Sequence, residues 1–229
     1  MAPLLAGLAA RVRELSESRE HSDRRCLWAD FHALKAPRAL VSYGMYAHVW
    51  AAGPEAFYHG SGLARDIEVQ LKARLWKAGN IPDDEPVLPA IWLNAPHPPG
   101  EDRLWGAALG YHRAAPFGAY KPAPPIRQPE DLDGLHNPPY EEDAAARRAV
   151  EQEALDLTGG ILPVKFHTDE LHFGPFEWAV RMRGRDNLLY DVYDNPGFVH
   201  RLMDFITTGM ERYHKAREAA GAVDAEASW

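Results

Sequence analysis

Two short apolar runs, VLPAIWLNAP at 87–96 and ILPVKF at 161–166, lie far apart in the chain, and a helical pattern precedes each. A tight hairpin cannot join strands so separated, whereas parallel neighbours need a long crossover, usually helical. Ahead of the first run, GLARDIEVQLKARLWKAGN repeats Leu63, Ile67, Leu71 and Leu75 at every fourth position and reaches Gly79 where a helix would stop. Ahead of the second, EEDAAARRAVEQEALDLTGG is acidic at its start and glycine-terminated, as the helix dipole and a left-handed C-cap favour. RALVSYGMY at 38–46 is β-rich and reads as an earlier strand, and RLWGAALGYHR at 103–113 as a further extended piece. Strands alternating with helices predict an α/β fold with parallel strands. Ligands in such folds gather beyond the carboxyl ends of the strands.

The remaining segments follow the same logic. Residues 3–20 carry an amphipathic helical pattern within a helical leader at 1–37, and the arginines follow its apolar stretch rather than preceding it, unlike a signal peptide. Residues 114–140 gather many of the prolines, but aliphatic and aromatic residues interrupt them. They are expected to form an ordered, extended arm on a domain surface. GPFEWAVRMRG reads as a short helix with Pro175 in its first position, and Asp186 is placed to cap NLLYDVY. Asn195-Pro196 opens a long last helix with Phe198, Leu202, Phe205, Ile206, Met210 and Tyr213 on one face.

Composition removes several classes of function. A formal charge of −8 with no basic run argues against nucleic-acid binding, which needs clustered Lys and Arg. No apolar run approaches membrane-spanning length. The single cysteine, Cys26, excludes an internal disulfide framework and a Cys-rich metal cage, and it fits a reducing cytoplasm. Its neighbours Leu27 and Trp28 lie in a helical-looking run, which predicts a buried structural thiol.

Chemistry concentrates in KFHTDELHFGPF at 165–176, between a strand and a helix. His167, Asp169, Glu170 and His172 are all competent metal ligands. However, the histidines are not a helical i, i+4 pair and no glutamate directly follows His167, so no metal is assigned. Position alone marks His167, Asp169 and His172 as substrate contacts on a βα loop, with His167 or His172 a proton carrier near neutral pH. Gly-x-Ser-x-Gly, Walker and Gly-x-Gly-x-x-Gly patterns are absent.

Four pieces of the second half form a recognisable order: Gly174–Phe176, LLYDVYDNP at 188–196, VHRLMDF at 199–205 and GAVDA at 221–225. With PPIRQPEDLDGL at 124–135, they resemble the uroporphyrinogen decarboxylase-like family, including its corrinoid-linked methyltransferase branch. The resemblance spans about residues 25–225 and is strongest over 160–225. It implies a TIM-type barrel of eight parallel strands, which typically takes ~250 residues. The chain would then hold an incomplete barrel at 38–229, its N-terminal half, after the leader at 1–37 and with the arm at 114–140. A half-barrel exposes a strand edge and an apolar face, so it is expected to self-associate or recruit its missing half.

The resemblance also implies a barrel mouth. Tyr43, Tyr46 and His48 after the first strand and Asn94 after the second would join His167, Asp169 and His172 there, binding and orienting a small molecule. Residues 41–50 lack the arginines by which the decarboxylases neutralise a carboxylated tetrapyrrole, and Asn94 stands where they use an aspartate. The expected activity is therefore methyl transfer on a small methylated or carboxylated compound, with a corrinoid protein as partner. Zinc in that branch is bound late in the barrel, past Trp229. The alternatives are a uroporphyrinogen decarboxylase-type lyase of porphyrin biosynthesis and a non-catalytic half-barrel that assembles with a partner.

Overall fold

Leu5, Leu8, Ala9 and Val12 recur at helical spacing, and in the computed structural model they form the buried face of helix α1, Ala2–Glu17. The structure describes residues 1–43, 59–96, 104–113, 120–167, 171 and 173–222, excepting the side chains of 111, 112 and 120–122. These residues divide into two compact units, one of Met1–Ala95 with Ala144–His167, the other of Pro96–Asp143 with the described residues from Leu171 to Ala222.

In the first unit α1 is followed by α2, Arg19–His32, whose start is capped by the Ser18 side chain accepting from the His21 N–H. Helix α3, Gly62–Asn80, turns Ile67 and Leu71 inward, as their spacing predicts. It leads to strand β1, Ile91–Asn94, and helix α4, Ala144–Thr158, leads to strand β4, Val164–His167. Gly159 and Gly160 end α4 with φ of +65° and +63°, values glycine reaches without a Cβ penalty. β1 and β4 pair in parallel, and Ile91, Leu93 and Phe166 join α1, α3 and α4 in one apolar core. Burial of each such apolar side chain contributes roughly 2 kcal/mol.

In the second unit β2, Gly110–Arg113, pairs antiparallel with β3, Tyr120–Ala123. A 3₁₀ turn, Pro129–Gly134, precedes the helices α5, Pro175–Arg183, α6, Arg185–Asp194, and α7, Pro196–Ala219. Asn195 caps α7 by accepting from the Phe198 N–H. Phe198, Leu202, Ile206 and Tyr213 pack with Trp105, Ile126, Trp178 and Met182. The Arg183–Asp191 ion pair, 2.6 Å and buried, ties α5 to α6, while Arg183 also donates to the Arg127 carbonyl.

Several expectations meet corrections. Over 38–43, the described part of the expected first strand, no strand forms. The Val41 and Tyr43 N–H groups donate to the carboxylates of Asp84 and Asp83, so side chains take donors that a ladder would use. The extended piece at 103–113 narrows to β2, since a turn occupies 104–107. There Gly106, at φ +86°, leaves room for the His136 ring. The described part of the proline-rich arm is ordered, but Ile126 and Leu132 anchor it inside a core rather than merely on a surface. The acids at 141–143 precede α4 instead of filling its first turn. Gly184, not Asp186, is the N-cap of α6. Cys26 is exposed: α2 buries His21 and Trp28, and Cys26 falls on the other side of the helix. The fold is therefore mixed α/β, mostly helical, with one parallel strand pair among the described residues. None of the described helices is long and apolar enough to cross a membrane.

Candidate functional site

Strand alternation decides what the parallel pair presents on each face. Ile91, Leu93 and Phe166 go into the core, so Trp92, Asn94, Lys165 and His167 go to the other face. The register sets Trp92 beside Lys165 and Asn94 beside His167, which brings the last two together at the carboxyl ends of both strands. The His167 ring stacks on Trp92 with centroids 4.7 Å apart and planes at 26°. Lys165 Nζ lies 5.5 Å from the Trp92 ring centroid, within cation–π range.

A cavity of about 160 Å³ abuts this aromatic pair, with Trp92 and His167 in its wall. Its polar lining comes from Arg24, Arg74, Lys77, Asp83 and Glu85. Arg74, on α3, donates from Nη1 to the Leu88 and Ala90 carbonyls and from Nη2 to Gln70 Oε1 at 2.7 Å. Burial draws its pKa down to about 10, against the pull of Glu85, so it remains a cation at neutral pH. Lys77 bridges Asp83, at 2.9 Å, and Glu85. Burial raises the Asp83 carboxyl, but the Tyr43 N–H and Lys77 outweigh it and hold its pKa below the usual range. Chemically, the arrangement offers an imidazole, a carboxamide and an aromatic face at one strand end, beside a cavity with charged walls.

Of the residues expected at the mouth, Asn94 and His167 are brought together. The Tyr43 N–H donates to Asp83, a residue of the cavity wall in the segment between α3 and β1, and the Tyr43 side chain is 54% exposed. Tyr46, His48, Asp169 and His172 lie outside the described residues. Sequence reasoning missed Trp92, Gln70, Arg74 and Lys77. The signal that could have found the last three is a polar stripe at i, i+4 and i+7 beside the apolar stripe of α3. No protein-family model matches the chain, nor does any curated protein or solved structure.

Proposed function

We propose that this chain is part of a β/α barrel related to the uroporphyrinogen decarboxylase-like family, handling a small methylated or carboxylated compound at the carboxyl ends of its parallel strands. The observation that carries this reading is the side-by-side placement of Asn94 and His167, with helices packed on the opposite face of their strands. Such a unit is what one wall of a barrel requires. In this reading Asn94 orients the compound by hydrogen bonding and His167 moves a proton, since imidazole changes charge near neutrality. Tyr46, His48, Asp169 and His172 complete the proposed rim.

Methyl transfer is favoured over tetrapyrrole decarboxylation on three grounds. Asn94 carries no charge to balance a protonated pyrrole, and residues 41–50 contain no arginine. The cavity, about 160 Å³, is also small beside the roughly 300–1,000 Å³ of pockets for larger ligands. Zinc finds no fitting ligand set among the described residues, where no three His, Cys, Asp or Glu side chains are grouped to hold a metal, so no step is assigned to it. A corrinoid protein is the partner this reading calls for, in the cytoplasm.

The reading is tested by ¹H–¹⁵N correlation spectra of the chain titrated with methoxyacetate and with trimethylglycine. Shifts centred on Trp92, Asn94 and His167, lost in His167→Ala, support it. Shifts elsewhere or none contradict it, and turnover of uroporphyrinogen would restore the lyase alternative.

A second reading, the non-catalytic assembly partner, is favoured by a different observation. Leu189, Tyr190, Val192 and Tyr193 of α6 are 57%, 70%, 52% and 90% exposed, an apolar surface of the kind that marks protein contacts. Light scattering over a concentration series discriminates: association abolished by Tyr193→Glu with Leu189→Glu favours assembly, and a monomer throughout opposes it.

A further inference from the structure

Arg74 is held in place entirely by neutral oxygens. Its Nη1 serves two backbone carbonyls and its Nη2 the Gln70 side-chain oxygen, and among the described residues no carboxylate lies within ion-pairing distance of it. The two acids nearest in the cavity are engaged elsewhere. Asp83 accepts from Lys77 and from the Tyr43 and Glu85 N–H groups, and Glu85 accepts from Lys77 and the Ser42 hydroxyl. Neutral acceptors fix the orientation of a guanidinium without cancelling its charge. The Nε–H is left without a protein partner, in a group that lines the cavity. A guanidinium so placed, with its Nε–H and the second Nη2 hydrogen unused and no carboxylate in contact with it, suits a planar two-oxygen anion, which it can meet with parallel hydrogen bonds.

We propose that Arg74 is the anchor for a carboxylate of the bound compound, which lies in the cavity against the Trp92–His167 stack. This inference rests on the reading of that strand end as a small-molecule site and narrows its ligand to the carboxylated class. Trp92 supplies the apolar wall beside the anchored group, and His167 faces the compound's other end. Arg74 acts here as a binding residue and takes no part in bond making.

The test follows the arginine Nε–H resonances of the full chain during titration with methoxyacetate and, separately, with uncharged 2-methoxyethanol. The expected result is a downfield shift of the Arg74 Nε–H with methoxyacetate alone, and at least tenfold tighter binding of methoxyacetate than of 2-methoxyethanol. Arg74→Gln should erase that preference. Because Arg74 also braces the approach to β1, Arg74→Lys serves as a second variant that keeps the charge but loses the fork, and should retain only part of it. Equal binding of both probes at Trp92 and His167, with the Arg74 signal unmoved, overturns the anchor while leaving the strand-end site standing. An unchanged preference in both variants overturns it likewise. If neither probe moves Trp92, Asn94 or His167, the anchor and the site fall together.

Discussion

The Gln70 side-chain amide makes both backbone hydrogen bonds of Trp92: its Nε2 donates to the Trp92 carbonyl and its Oε1 accepts from the Trp92 N–H, each at 2.7 Å. Ile91 and Ala95 direct their N–H groups to the β4 side, so those of Trp92 face the other edge of β1. A glutamine from α3 thus does there what a neighbouring strand would do, and it shields an edge that is otherwise a template for pairing. Gln70→Ala should cost roughly 1–3 kcal/mol, the penalty for stranding a donor and an acceptor. Urea unfolding measures that loss, and faster hydrogen exchange at the Trp92 amide locates it.

Glu68 is 0% exposed and accepts from the His59 ring, from Lys72 and from the N–H groups of His59 and Gly60. Burial alone would raise its pKa, but these donors prevail and hold it at about 2, from an ordinary 4.5. A lowered carboxyl pKa stabilises the fold above the unfolded value and loses that contribution as pH falls toward the folded one. Stability should therefore drop by roughly 2 kcal/mol between pH 4.5 and 2 through this group. Glu68→Gln, compared with wild type by urea unfolding at pH 6 and pH 3, should start less stable and lose less.

His21 is the buried imidazole of α2, and its Nδ1 accepts from the Val87 N–H. Burial lowers its pKa below 6.5, helped by Arg24 and Arg25 and opposed by Glu20 and Asp83. The sign is that of a group folded in its neutral form: its contribution is intact above 6.5 and shrinks as pH falls below it, because the unfolded chain takes up the proton first. His21→Asn, which keeps an acceptor but cannot titrate, should flatten the thermal-stability profile just below pH 6.5.

Gly209 lets Trp105 and α7 meet. A Cβ at this position would stand 2.7 Å from Trp105 Cζ3 and 2.9 Å from Asn137 Oδ1. Gly209→Ala gains about 1 kcal/mol of helix propensity but overpacks a full core at a cost of about 1–3 kcal/mol. The expected net result is a lowered melting temperature with altered tryptophan fluorescence.

What was legible in the sequence was local. The four-residue spacing of Leu63, Ile67, Leu71 and Leu75 located α3, and Asn195-Pro196 marked the start of α7, because periodicity and capping act over a few residues. The two apolar runs contained β1 and β4, and the alternation of helices with strands implied parallel strands, but which strands pair and the register that joins Asn94 to His167 came only from the structure. The fate of 38–43 was not legible, since it depends on Asp83 and Asp84 capturing backbone donors from a distant segment. Gln70 and Arg74 were hidden as ordinary polar residues of a helix, and only the strand edge they serve distinguishes them.

The proposed site depends on the parallel register that seats Asn94 beside His167. Interstrand nuclear Overhauser effects in the isotopically labelled chain measure it directly. Contacts between backbone protons in the order Leu93 with Phe166 and Asn94 with His167 are the predicted result. An antiparallel pattern, or no contact between these segments, would contradict it.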